Sequence, residues 1–179
     1  MKKWIAILLM LVLLSGCQAF EEPLRIEFKA VDFTFEALGS LHADIEIPSA
    51  PLVKGGDGAS WHTLFRVDSV EELKLYEQSL RYVPIWQNRS SDQPYDAEYF
   101  QENVLFLIIR NTPSCSQVCW IERVEQVGET LTFYLVDGVP PAGDEGEGCA
   151  LLGVEIAKKS IADCSAYEVN VQEQLICPT

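Results

Sequence analysis

Residues 104–109, Val-Leu-Phe-Leu-Ile-Ile, form an unbroken apolar run that is rich in β-branched and aromatic side chains. A short run of this composition favours a strand, and it leaves no polar face to turn toward solvent. Strands of this kind are covered on both faces. The run therefore predicts a central strand of a sheet that has a packing layer on either side.

Alternation of apolar and polar residues predicts further strands, because successive side chains of a strand point to opposite faces. The predicted strands cover residues 24–30, 33–35, 41–47, 64–67, 120–127, 131–135, 150–156 and 167–171. Gly128 and Glu129 lie between two of them and predict a tight hairpin turn. Residues 48–58, 81–94 and 137–148 are rich in Gly, Pro or polar side chains and are predicted to be loops.

Two helices are predicted between the strands. Ser69 followed by Glu72 has the form of a capping box, so a main helix is expected over residues 70–80. Asp96 is placed to cap a short second helix over residues 97–102. The fold class we expect is α+β, mainly β: an antiparallel sheet or small β-sandwich with one main helix and a short second helix.

The first residues have the composition of a cleaved leader. Lys2 and Lys3 precede an apolar stretch, residues 4–14, that is too short to cross a bilayer as a permanent helix. The small residues Ser15 and Gly16 then lead to Cys17. An ordinary secretory signal with an unrelated cysteine is the alternative interpretation of this stretch.

Residues 14–17, Leu-Ser-Gly-Cys, resemble the lipobox of bacterial lipoproteins. In that family the leader is removed and the cysteine is linked through a thioether to diacylglycerol. The resemblance implies a signal peptide at residues 1–16 and a lipidated tether at residues 17–23. The length and strand pattern of the rest predict a single β-rich globular domain at residues 24–179. Cys17 is then the lipidation site. The protein is expected in the bacterial cell envelope, anchored to a membrane on its extracytoplasmic side.

The chain is strongly acidic, with 13 Lys and Arg against 27 Asp and Glu and a formal charge of −14. The leader contains only Lys2 and Lys3 as charged residues, so its removal makes the charge −16. This balance argues against nucleic acid, whose binding requires Lys and Arg to neutralise phosphates. It also argues against docking on anionic lipid headgroups through a basic patch.

Five cysteines follow the lipobox, all in the C-terminal 65 residues: Cys115, Cys119, Cys149, Cys164 and Cys177. In an exported protein they are candidate disulfide cysteines, and their odd number leaves one unpaired. Free buried thiols and a metal site are the alternatives, and the sequence does not decide the pairing. The Cys-x-x-x-Cys spacing at residues 115–119 differs from zinc knuckles and from the thioredoxin motif. We therefore expect no metal and no cofactor.

The order of predicted elements, with the capping box and the run YDAEYFQENVL at residues 95–105, resembles a known family. This is the protease-complex-subunit (PrcB-type) C-terminal domain of bacterial lipoproteins. The match covers residues 65–172, with a hairpin at 120–136, a proline-containing loop at 139–141 and a closing strand at 150–156. Cysteines at residues 115 and 119 stand where the family has a Ser-Gly-rich turn. The resemblance implies an accessory or binding domain, and it supplies no catalytic residue.

Few residues are candidates for catalysis. An imidazole base is offered only by His42, which is expected on the solvent face of a strand, and by His62. His62 follows Ser60 and the glycine-rich residues 55–58, but the pattern is not a nucleophile elbow. The other candidates are Asp144, Glu145 and Glu147 as Ca²⁺ ligands without EF-hand spacing, and Trp61, Trp86 and Trp120 as a binding face or as core.

The expected function is that of a non-catalytic, lipid-anchored envelope protein, an accessory or protein-binding subunit of an exported complex. Its partners are then a membrane, through the lipid at Cys17, and another exported protein, with no nucleic acid. The alternative is an envelope enzyme or small-ligand binder with a site near His62 and Asp57.

Overall fold

The computed structural model describes residues 21–35, 51–80, 82–84, 95–143 and 146–176. Within these ranges the chain forms two sheets and two short helices. The strands are β1 (Leu24–Ile26), β2 (Lys29–Phe35), β3 (Val53–Asp57), β4 (Ser60–Val67), β5 (Tyr82–Pro84), β6 (Asn103–Thr112), β7 (Val118–Val127), β8 (Thr130–Val139), β9 (Gly148–Ala157) and β10 (Ala166–Leu175). The helices are α1 (Val70–Leu80) and α2 (Tyr99–Glu102), and a 3-10 turn covers Lys158–Ser160.

The central strand is β6, which contains the apolar run. It pairs antiparallel with β4 on one side and with β9 on the other. Leu105, Leu107 and Ile109 face one core, together with residues of α1 and α2. Val104, Phe106 and Ile108 face a second core, which lies between the two sheets. The prediction of a strand covered on both faces is therefore confirmed, and we name these regions the helix-side core and the inter-sheet core.

The larger sheet has six strands in the order β3-β4-β6-β9-β2-β5, and all its described pairings are antiparallel. The smaller sheet has four strands in the order β1-β7-β8-β10. Its hairpin β7–β8 turns at Gly128, whose φ of 56° is the left-handed conformation that glycine adopts without a steric penalty. Strand β10 pairs parallel to β8 over its whole length, so the smaller sheet is mixed.

Helix α1 begins as the capping box predicted. The hydroxyl of Ser69 accepts a hydrogen bond from the backbone N–H of Glu72 at 3.1 Å. The carboxylate of Glu72 reaches back to the backbone N–H of Asp68 at 2.7 Å. The helix then packs buried side chains, Leu73, Tyr76 and Leu80, on the larger sheet.

Helix α2 starts two residues later than predicted, at Tyr99. Asp96 nevertheless caps this segment, since its carboxylate accepts a hydrogen bond from the backbone N–H of Tyr99 at 2.9 Å. Buried Tyr99 and Phe100 join the helix-side core. Helices, larger sheet and smaller sheet thus form three layers, which confirms the α+β, mainly β fold class. In the described ranges, no helix is long and apolar enough to span a membrane.

Four predictions of local structure are wrong in detail. The single strand at residues 24–30 is two strands in different sheets, β1 and β2. Ile26 faces the inter-sheet core, whereas Val31 and Phe33 face the helix-side core, so the alternation changes phase where the chain crosses between sheets. The predicted loops at 48–58 and 81–94 contain the short edge strands β3 and β5. The predicted loop at 137–148 is strand at both ends, where β8 extends to Val139 and β9 begins at Gly148. The strand predicted at 41–47 lies outside the described residues.

Candidate functional site

The most distinctive polar contact lies inside the protein, between Arg110 of β6 and Asp137 of β8. The two residues are 3% and 0% exposed. Arg110 donates from Nη2 to Asp137 Oδ2 at 2.6 Å and from Nε to the same oxygen at 3.1 Å. Because β6 and β8 belong to different sheets, this ion pair joins the two sheets across one end of the inter-sheet core.

Strand β4 supplies two further members of this cluster, Ser60 and His62. The hydroxyl of Ser60 accepts a hydrogen bond from Arg110 Nη2 at 2.7 Å. His62 stands opposite Arg110 in the β4–β6 register and is 8% exposed. Its ring lies over Gly55 of β3, where an added Cβ would come within 2.6 Å of Nε2. Glycine at residue 55 therefore makes room for the imidazole.

The imidazole of His62 is held in the neutral form. Its pKa is lowered from 6.5, first by burial and then by the positive charge of Arg110, while Asp137 opposes the shift. Its Nδ1 atom has no hydrogen-bond partner among the described residues. A buried, neutral and partly unsatisfied imidazole is sensitive to acid, because protonation would place a second cation beside Arg110.

Cys119 completes the cluster from strand β7, directly opposite Asp137 in the β7–β8 register. The pKa of its thiol is raised well above the ordinary value by burial, and the charge of Asp137 and a hydrogen bond to it add to the shift. The thiol is therefore protonated at neutral pH and a poor nucleophile. We name Ser60, His62, Arg110, Cys119 and Asp137 the inter-sheet polar cluster.

The geometry of this cluster differs from that of an activated nucleophile. A catalytic serine donates its hydroxyl proton to a base. Ser60 instead accepts from Arg110, and within the described residues Nδ1 of His62 receives no hydrogen bond from it. The cluster satisfies the buried charges of both sheets and holds the sheets in one relative position.

The two central residues of the cluster were not identified from the sequence. Arg110 directly follows the apolar run, and Asp137 directly follows Leu135 and Val136 in an alternating strand. A charge that directly continues an apolar strand is the signal that would have marked Arg110, whereas Asp137 lies at the start of a segment that the sequence predicts to be a loop. Nothing in the sequence indicates that these two charges meet.

The structure places the other candidate residues apart from one another. Trp61 packs half-buried against the helix-side core, and Trp120 packs over Gly138 on the outer face of the smaller sheet. Glu147 accepts a hydrogen bond from Asn111 at 3.3 Å. Within the described ranges, no three His, Cys, Asp or Glu side chains are grouped to hold a metal ion. Several candidates lie outside the described residues: Cys17, His42, Trp86, Asp144, Glu145 and Cys177.

The four described cysteines, Cys115, Cys119, Cys149 and Cys164, are not joined to one another. Cys149 packs against the helix-side core and Cys119 against the inter-sheet core, so the larger sheet separates their side chains. Cys164 lies near the opposite end of the sandwich, beside the β7–β8 turn, where the N–H of Ser165 bonds to Glu129 at 2.9 Å. The disulfides stay a prediction.

The surface feature that stands out is the edge of the smaller sheet formed by β10. Side chains at 167, 169 and 171 pack on the inter-sheet core, and those at 166, 168, 170 and 172 are exposed. On its other side β10 has no strand partner among the described residues. Alternate residues of this ten-residue strand therefore direct backbone N–H and C=O groups to a side on which no described strand pairs with them.

A cavity of about 540 Å³ lies beside β1, where the described chain begins. It is lined by the cations Arg25 and Lys159 and by the anions Glu27 and Asp163. The mixture of charges selects neither a cation nor an anion, so this cavity defines no ligand class.

The comparisons with known proteins identify no relative. No family model matches the chain, and neither a curated protein sequence nor a solved structure matches it.

Proposed function

We propose that this chain is a lipid-anchored protein of the bacterial cell envelope, whose folded domain is a non-catalytic accessory subunit that binds another exported protein. The anchor is the lipid on Cys17, followed by the tether at residues 17–23. Two or more acyl chains on one residue suffice to hold a domain of this kind at a membrane surface.

The observation that carries the protein-binding part of the proposal is the open edge of β10. Exposed edge strands are templates for pairing with another chain, and proteins usually protect them by making them short or by covering them. Strand β10 is ten residues long and contains neither Gly nor Pro. A long edge with no partner strand among the described residues suits a docking strand.

The inter-sheet polar cluster supports the non-catalytic part of the proposal. Its nucleophile candidates, Ser60 and Cys119, are engaged by Arg110 and Asp137. The resemblance to the PrcB-type domain, which rests on the sequence alone, implies the same accessory role.

Two measurements test this proposal. Fractionation of cells that express the natural chain or Cys17→Ala should find the natural chain in membranes and the variant in the soluble fraction. A membrane fraction unchanged by the substitution would exclude the lipid anchor.

Amine cross-linking on intact cells, followed by mass spectrometry, should recover a specific protein partner. Recovery of nothing above a mock-treated control would contradict the accessory role.

One observation favours a second function, that of a small-ligand binder or enzyme near His62. The Nδ1 atom of this buried imidazole has no partner in the described part of the chain, and a ligand donor or acceptor would satisfy it. NMR of the ring nitrogens, recorded while small polar metabolites are added, tests this function. Ring-nitrogen resonances of His62 that do not shift in any mixture would exclude this second function.

A further inference from the structure

We infer that β10 is the strand to which the partner adds, and that the partner supplies an extended segment carrying Lys or Arg opposite Glu168 and Glu173. This inference rests on the proposed function and deepens it. The mode is strand addition, in which main-chain hydrogen bonds hold the segment and side chains on alternate faces select it.

The first step is the choice of edge among the four edge strands described in the two sheets. Strands β1 and β5 have three residues each, and β5 ends in a proline. Strand β3 has five residues, two of which are glycines. Short length, Pro and Gly are the features that prevent pairing at an edge. Only β10, among these four, offers a long template.

The second step is the charge along this edge. Glu168 and Glu173 are the only charged residues of β10, both are exposed, and neither β10 nor its neighbour β8 contains Lys or Arg. The nearest cation on the outer face of this sheet is Arg123 of β7. It is already engaged by Glu122 and by Glu125, and it lies 3.7 Å from the centre of the Tyr134 ring. Glu168 lies on this outer face, whereas Glu173 is level with Asp137 and lies on the opposite face. Among the described residues, Arg123 is paired with Glu122 and Glu125 and not with Glu168, and Arg110 is paired with Asp137 and not with Glu173.

The third step excludes a second copy of this chain as the occupant. An antiparallel pairing of two β10 strands that uses all ten residues joins Ala166 to Leu175. The same register places Glu168 of each copy directly opposite Glu173 of the other. Like charges directly opposite each other destabilise a strand pair, and here the clash occurs twice. The net charge of −14 on each chain adds repulsion.

The fourth step follows from the same register. In an antiparallel partner strand, the positions opposite Glu168 and Glu173 are five residues apart and therefore point to opposite faces. A cation at each position forms a favourable cross-strand pair. The other exposed side chains of β10 are all uncharged: Ala166, Asn170, Gln172, Gln174 and Leu175.

Site-specific photo-cross-linking in intact cells tests this inference. A photoreactive amino acid is placed in the full chain at Asn170, on the edge, or at Leu75, which is 49% exposed on α1 and serves as the control position. We expect Asn170 to cross-link to an exported protein within a peptide that contains Lys or Arg. The double charge reversal Glu168→Lys with Glu173→Lys should reduce this yield at least fivefold. Reversal at exposed Glu71 of α1 should leave it unchanged.

The outcomes separate this inference from the proposed function. Cross-linking at Leu75 but not at Asn170 would keep the accessory role and overturn the docking strand. An adduct at Asn170 with a second copy of the chain, or a yield unaffected by the double reversal, would also overturn the inference. Absence of adducts at both positions would count against the accessory role itself. Circular dichroism of each purified variant verifies that the charge reversals leave the fold intact.

Discussion

Arg110 and Asp137, which are 27 residues apart in the sequence, meet across the core with Nη2 and Oδ2 2.6 Å apart. Each residue belongs to a different sheet, and each is almost completely withdrawn from solvent. This contact fixes the relative position of the two sheets at one end of the protein. Removing either partner would leave the other charge buried and unpaired.

The first prediction concerns this ion pair. Arg110→Met or Asp137→Leu should each destabilise the protein by about 3–5 kcal/mol, because a lone buried charge remains. The double variant should recover most of this loss, since it leaves no charge to bury. Urea unfolding followed by circular dichroism measures both effects. Glu71→Gln, at an exposed position of α1, is the control and should change stability by about 1 kcal/mol or less. Single and double variants of equal stability would contradict the role of the pair.

The second prediction concerns the pH dependence of stability. The pKa of His62 is lowered in the folded protein from its ordinary value of 6.5, so the unfolded chain binds protons more readily. His62 therefore leaves the free energy of unfolding unchanged above pH 6.5. Below pH 6.5 it lowers this free energy progressively, until the pH reaches the pKa of His62 in the folded protein. Unfolding free energies measured between about pH 8 and pH 5 should decline in the natural chain. In His62→Gln this part of the decline should disappear, and an identical pH profile in both proteins would refute the assignment.

The third prediction concerns the contact between Gly153 and Phe33 in the helix-side core. A Cβ at residue 153 would lie 2.3 Å from Cε2 of the Phe33 ring. Gly153→Ala should destabilise the protein by about 1–3 kcal/mol through overpacking. Adding Phe33→Leu should relieve part of this effect, and a double-mutant cycle measures the coupling. Strictly additive effects of the two changes would show that the ring does not need this space.

The fourth prediction concerns the start of α1. Ser69→Ala removes the acceptor for the backbone N–H of Glu72 and should cost about 1 kcal/mol. Ser69→Asp keeps an acceptor at the same place and should stay close to the natural chain. Thermal unfolding of the three proteins compares them. Equal losses for alanine and aspartate would point to a cause other than helix capping.

The fifth prediction concerns which of the five cysteines that follow Cys17 is left without a disulfide partner. Cys164 lies near Thr130 and Cys119 lies opposite Asp137, so most of β8 separates them, roughly 20 Å at about 3.3 Å per residue. A disulfide requires Cα atoms within about 7 Å. Strand β10 likewise separates Cys164 from Leu175, the residue two positions before Cys177 in the sequence. Alkylation of the denatured, unreduced protein should therefore label Cys164.

Peptide mapping by mass spectrometry reads the position of this label. Label on Cys115, Cys119 or Cys149 together with a protected Cys164 would contradict the assignment. Labelling of every cysteine in the unreduced protein would contradict the prediction of disulfides. Reduction before alkylation provides the reference in which every cysteine is labelled.

Local patterns in the sequence determined much of the fold. Residues 104–109 have no polar side chain to expose on either face of β6, so their composition favours a strand that is buried on both sides. Ser69 and Glu72 specify the start of α1 through hydrogen bonds a few residues apart, and Gly128 specifies the β7–β8 turn through its own φ angle. Each of these features depends on neighbours in the chain, which is why the sequence suffices to predict it.

Only the tertiary structure decided which distant strands meet. The division of residues 24–35 between two sheets and the parallel pairing of β10 with β8 depend on how whole layers close over the cores. For the same reason the sequence marked His62 but not the pair beside it. The burial of Arg110 and Asp137 is stable only because the two charges meet, and that meeting requires both sheets to be in place.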